Sequence, residues 1–212
     1  MSPSPQLREA FVAFREQCIW LRTCFNTFAA LFHQEHQPKD LLHRTAPLFF
    51  QDLNNVLLEY CRLKVCTLTD PADTWSHGKH AHVESLTVCN LNRGLKREGL
   101  MTQAIEDAAA GLMRYRELVK ESRHKTIAHL DKEVTLANQP LGAHAEEDVV
   151  QFLDHLQNYN DEVGCAVGEG PLDFRGTSGP GDVLDLLRVL RAGLELTETR
   201  RGGPSTPVLR TS

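Results

Sequence analysis

The sequence predicts an all-α protein, an antiparallel helical bundle. Three observations carry that expectation. Apolar residues recur at steps of three and four along several long segments, the period of a helix with one buried face. Proline, glycine and aspartate fall between those segments and interrupt them. No stretch alternates with a β period worth assigning, and there is no internal repeat.

The first helix is expected over about 6–33. Leu7, Phe11, Phe14, Cys18, Leu21, Phe25, Phe28 and Phe32 form one continuous apolar seam. Val12, Ile19, Trp20 and Leu31 widen it, which implies burial on more than one side. Pro38 and Asp40 mark the break. A second helix should start near Ala46-Pro47, where proline is tolerated in the first turn, and run to about Leu68 before Asp70-Pro71 stops it. Residues 74–83 read as a polar loop containing Gly78 and several histidines. A shorter helix is expected near 84–92, with Gly94 and Gly99 punctuating the passage to a long helix over about 100–138. Pro140 and Gly142 end that passage. Residues 146–163 give another amphipathic helix through Val149, Leu153, Leu156, Asn160 and Val163. The segment 168–181 reads as a glycine- and proline-rich loop, and Asp182 can cap a last helix carrying Val183, Leu186, Leu187, Leu190 and Leu194. The expected organisation is one helical domain over 6–197, between disordered ends at 1–5 and 198–212.

The chain has 212 residues, 41% apolar and 24% charged, which suits one well-buried domain and argues against global disorder. Its 23 Lys+Arg against 28 Asp+Glu give a net charge of −5. That excludes coating nucleic acid by bulk charge but not a local basic site. Between Met113 and Lys132 the bases Arg114, Arg116, Lys120, Arg123, Lys125 and Lys132 face the acids Glu117, Glu121 and Asp131. A basic island in an acidic protein suits contact with one or a few phosphates. The alternative is a solvated helix face. The six cysteines form no Cys-x-x-Cys pair and sit mostly in apolar surroundings, so reduced structural thiols in a cytoplasmic protein are expected, with no membrane partner.

The most informative stretch lies toward the end of the long helix expected over about 100–138. Its inward row reads Met101, Ile105, Ala108, Leu112, Tyr115 and Val119, and the next positions are Ser122, Thr126 and His129. A core-facing row turns polar where Arg123, His124 and His129 gather, and burying such groups without partners is expensive. The helix therefore meets a polar partner surface or builds a site. Arg123 and His129 are six positions apart, which on an unbroken helix points them roughly 120° apart. A twofold pairing of identical helices is one way to bring both to one atom.

Arg123-His124 followed by His129 resembles the signature of the HEPN superfamily: arginine, a polar residue, a short gap, histidine. More of the chain is similar to the AbiU-type, abortive-infection branch. Leu68-Thr69-Asp70-Pro71 resembles its Leu-Thr-Asp-Pro element. Arg123-His124-Lys125 through Ala128-His129-Leu130-Asp131 resembles its Arg-x-Lys…Ala-His-x-Asp core, and Pro180-Gly181-Asp182 leading into Leu186, Leu187 and Leu190 resembles its C-terminal helix. The likeness spans most of 6–197.

The resemblance implies a metal-independent endoribonuclease, a dimer of helical bundles with a composite site at the interface, of the kind used as a toxin or phage-defence effector. On that reading His129 is the base or acid, since histidine moves protons near neutral pH. Arg123 clamps the scissile phosphate with its planar fork, and His124 orients one or the other. Arg116, Lys120 and Lys125 would attract RNA. The expected partners are a second copy of the chain, RNA, and an antitoxin or regulatory protein. No metal or other cofactor is expected. The alternative is a non-catalytic HEPN-like dimer that binds RNA, a nucleotide or a protein. Arg123 would then pair with Glu121 or Asp131, and the histidines would only hold register.

Other clusters are weaker. His77, His80 and His82, with Asp70 or Asp73, could hold a divalent metal, but such loops are more often simply polar. His33-x-x-His36 and Glu106-Asp107 read as solvated. Cys61 and Cys66 read as buried and not nucleophilic. There is no glycine-rich phosphate loop and no Ser-His-Asp arrangement.

Overall fold

A computed structural model describes residues 3–33, 37–76, 81–122, 145–176 and 179–201. Among them are seven α-helices: α1 Pro5–Phe28, α2 Gln37–Thr45, α3 Pro47–Thr69, α4 Val88–Glu98, α5 Gln103–Ser122, α6 Glu146–Ala166 and α7 Val183–Arg201. A π-helical turn, Ala29–His33, continues α1. The chain is all-α in character, as expected, and no described helix is long and apolar enough to cross a membrane.

The chain divides into two compact units, Met1–Asn26 with Asn55–Thr177, and Thr27–Asn54 with Ser178–Ser212. The first unit holds the larger core. On α1 the predicted seam is buried at Leu7, Phe11, Phe14, Cys18 and Leu21. On α5 the predicted inward row is buried from Ile105 through Ala108, Leu112 and Tyr115 to Val119. Phe152, Leu156, Tyr159 and Val163 of α6, Val88, Leu91 and Leu95 of α4, and Cys61, Val65, Cys66 and Leu68 of α3 close the same cluster. Tyr159 meets Phe14 edge-on and satisfies its buried hydroxyl on Asn92 Oδ1 at 2.9 Å. Helices α5 and α6 run antiparallel: Gly111 meets His155 and, further along α5, Tyr115 meets Phe152. Arg15 is buried over the Phe11 ring and donates to the Gly170 carbonyl at 2.6 Å.

In the second unit α2 packs against the π-helical turn and α7. Leu31, Leu41, Leu42 and Phe50 are buried, and Arg44 pairs with Glu198 of α7. Asp182 caps α7 as expected, its Oδ1 accepting from the Leu184 and Asp185 amides at 2.8 and 3.2 Å.

Four local expectations are corrected. The stretch 74–83 is not all loop: Asp73–Ser76 (β1) and Ala81–Glu84 (β2) pair as antiparallel strands with Asp73 opposite Glu84. Arg93 of α4 clamps both ends of that pairing, donating to Asp73 at 2.6 Å and to Glu84 at 2.5 Å. Pro38 does not break the chain but lies in the first turn of α2. The helix placed near 84–92 is α4, set by Thr87, whose Oγ1 caps the Asn90 amide, and by Gly99 at φ 68°. Among the described residues, structure reaches beyond 6–197 on both sides. Ser4 binds the Glu98 carboxylate through its amide and hydroxyl at 2.8 and 2.6 Å, and α7 runs on to Arg201.

Candidate functional site

The described part of the motif helix ends at Ser122. Arg123, His124, Lys125 and His129 lie outside the described residues, as do His77, His80 and His36. Arg116 and Lys120, on the last described turns of α5, lead into the motif.

Arg116 is mostly buried, its side chain 20% exposed. Its Nη2 donates to Asp70 Oδ1 at 3.3 Å and its Nη1 to Glu117 Oε1 at 2.9 Å. Its buried Nε has no hydrogen-bond partner among the described residues. Asp70 follows directly on Thr69, which is itself buried and donates back to the Val65 carbonyl at 2.7 Å, closing the last turn of α3. The Leu-Thr-Asp-Pro element and the motif helix, separate in sequence, are thus joined by a charge-assisted hydrogen bond.

A family model described as AbiU2, of the HEPN type, matches residues 4–184. The chain belongs to the AbiU2 family of HEPN proteins. The match runs from α1 through α6 into the first turn of α7. No curated protein and no solved structure matches the chain.

In this HEPN chain Arg116 and Lys120, ahead of the motif, are engaged by carboxylates. Lys120 hydrogen-bonds Glu117, and that bond, with help from Arg116, holds the Glu117 carboxyl below the usual carboxylate range. Arg116 and Lys120 of α5 are therefore offset by Glu117 of the same helix and by Asp70 at the end of α3. Arg116, expected to attract RNA, is engaged by two carboxylates and positions α5 against the end of α3. Glu106 and Asp107 are exposed as expected, paired with Lys96 and Gln103. Burial pushes the Cys18 and Cys61 thiols up to about 12, so neither is a nucleophile. No group of metal-ligating side chains occurs among the described residues.

The structure also assembles residues that the sequence reading passed over. Between α5 and α6 lies a cleft of about 280 Å³ lined by Gly111, Arg114, Tyr115, Asp148, Gln151 and His155. Arg114 Nη2 lies 3.3 Å from His155 Nε2. A Cβ at position 111 would collide with the His155 ring. Glycine inside a helix costs about 0.5–1 kcal/mol relative to alanine, and Gly111 was the available signal that something seats against α5 there.

Proposed function

We propose that this HEPN protein is a metal-independent endoribonuclease that acts as a homodimer, with Arg123 and His129 from paired motif helices forming the site. The observation that carries the reading is the Asp70–Arg116 contact. It brings the family's Leu-Thr-Asp-Pro element against the motif helix and fixes the helix that leads into Arg123. A second support is the unbroken buried row from Ile105 to Val119. The sequence period, carried on from Val119 beyond the described residues, would continue that row to Ser122, Thr126 and His129.

In this mechanism His129 exchanges a proton with the ribose 2′-hydroxyl or the leaving 5′-oxygen. Arg123 stabilises the charge that builds on the phosphoryl oxygens. His124 orients the pair, and Lys120 and Lys125 contribute to RNA attraction. The product is a 2′,3′-cyclic phosphate, and DNA, lacking the hydroxyl, is bound without being cut. A role as a toxin or phage-defence effector, restrained by an antitoxin, fits such an activity. Exposed Leu48, Phe49, Val189 and Leu196 offer apolar surface that a second copy can cover.

The test is purified protein incubated with mixed RNA in EDTA, beside a His129→Ala control. Cleavage with cyclic-phosphate ends in the parent and none in the variant is the expected result. Sedimentation is run on both. Cleavage restored only by a divalent metal, or a strictly monomeric parent that still cuts, overturns the composite metal-free site. If neither protein cuts and His129→Ala only loses dimerisation, the non-catalytic dimer is the better reading.

A further inference from the structure

Arg114 differs from its neighbours on α5. Arg116 and Lys120 are each held by carboxylates, whereas the Arg114 guanidinium has no carboxylate partner among the described residues. Its one polar neighbour is the His155 ring, a second base. Arginine can only donate, so in this contact a neutral His155 accepts at Nε2, and the other guanidinium N–H groups are left to a further acceptor. The approach of the two side chains is built in. The ring of His155 fits only because position 111 lacks a Cβ, and glycine weakens the helix that carries it.

We propose that the cleft between α5 and α6 is a binding site for a phosphate monoester, held by the Arg114 guanidinium and the His155 ring. The guanidinium supplies paired N–H donors that match two phosphate oxygens, and protonated His155 supplies another donor and the second positive charge. Two cationic groups match a monoester dianion better than a diester monoanion. The cleft has room for one phosphate and part of what carries it.

The surroundings fit this assignment. Without an anion, burial and the neighbouring Arg114 charge hold His155 below the usual histidine range, with Asp154 opposing them. Asp154 is also within electrostatic reach of Arg22 on α1. Asp148 lines the cleft, but its Oδ2 accepts the Ala145 amide at 2.9 Å and so serves the start of α6. Tyr115 forms part of the floor as a neutral phenol, because burial raises its ionisation. A bound dianion would draw a proton onto the ring and turn Nε2 from accepting the Arg114 N–H to donating toward the anion. The site stands whether or not the chain cuts RNA.

The experiment follows the histidine imidazole resonances by NMR in the full chain while inorganic phosphate is added, with His155→Gln used to assign the ring. Phosphate is expected to shift the His155 resonance and move its titration upward. Arg114→Gln is expected to weaken phosphate binding about tenfold or more, the usual effect of losing a hydrogen bond to a charged group. Dimethyl phosphate is the diester control. AMP and a 5′-phosphorylated dinucleotide distinguish a free nucleotide from an RNA end, and competition by either with inorganic phosphate upholds the site. Gly111→Ala should displace the ring and lose the shift; circular dichroism checks its fold, and His155→Gln makes the same test without crowding the helix. An unmoved His155 resonance, an undiminished affinity in Arg114→Gln, or dimethyl phosphate binding as tightly as phosphate overturns the assignment.

Discussion

Arg116 reaches Asp70 across 46 positions of sequence and closes on it at 3.3 Å, with both side chains at least four-fifths buried. The contact fixes the end of α3 to the turns of α5 that precede the motif. The pair is largely sheltered from water, so losing either partner removes a charge-assisted hydrogen bond from a site where solvent replaces it poorly.

Asp70→Asn and Arg116→Gln should therefore each lower stability, by about 1–3 kcal/mol in urea denaturation. The double variant should lose about 1–2 kcal/mol less than the sum of the singles, since the second change no longer breaks a contact. Strictly additive losses would mean that the two groups act separately and that α5 is positioned by its apolar row alone.

That contact also marks the limit of what the sequence made legible. The rows of α1 and α5 were readable because their apolar spacing is local and strictly periodic: Phe11, Phe14 and Cys18, like Ile105, Leu112 and Val119, are fully buried. The β1–β2 pairing was not readable, because its strands are short and mostly polar. What clamps Asp73 to Glu84 is Arg93, which belongs to a different element. Helix α2 was missed because Pro38 looks like a stop signal and only Leu41 and Leu42 mark its inner face. Asp70 stood out as part of a family element, yet its pairing with Arg116 depends on how α3 and α5 come together. The Arg114–His155 cleft is of the same kind, and Gly111 was its only trace in the sequence.

Arg123→Ala and His129→Ala should each lower RNA cleavage by roughly two to four orders of magnitude at unchanged helicity, the usual loss for a proton-transfer group or a donor to transition-state charge. Arg123→Lys should recover only part of the loss, because a point charge lacks the planar fork. Lys120→Ala should leave the chemical step intact and reduce affinity only modestly, because its ammonium is already shared with Glu117. Single-turnover rates at saturating RNA, with affinities at two salt concentrations, separate these effects. A folded, dimeric Arg123/His129 double variant that cuts as fast as the parent would remove both residues from the mechanism.

Gly164→Ala should be costly despite adding one carbon. The new Cβ would run into Arg15 Nη2 and the Gly170 carbonyl, the two groups joined by the 2.6 Å hydrogen bond that ties α1 to the end of α6. Either the bond breaks or the helix shifts, and overpacking of this kind costs about 1–3 kcal/mol. Gly168→Ala meets no neighbouring atom and should lose less, its cost coming from the backbone at φ 78°. Paired thermal melts test the ranking, and equal losses would show that Arg15 can move aside freely.

Stability should fall in alkali because of Cys18 and Cys61. Burial raises both thiols from 9.0 to about 12, whereas in the unfolded chain they regain the ordinary value. Below pH 9 both states carry neutral thiols, and the native preference for the protonated form is fully present. Between pH 9 and 12 the unfolded chain releases protons that the native state keeps, so stability declines as pH rises. Each fully shifted thiol contributes about 1 kcal/mol per pH unit in that window. The buried Tyr159 phenol, also raised, adds to the decline in the same direction. Urea midpoints at pH 8 and pH 10 should differ measurably, and Cys18→Val, which keeps the apolar contact without an ionisable group, should reduce the difference. The same burial predicts that a bulky alkylating reagent at pH 8 labels exposed Cys165 first and leaves Cys18 and Cys61 unmodified until the protein unfolds. Rapid native labelling of Cys18, or an unchanged midpoint between the two pH values, would show that these thiols are not held neutral by the core.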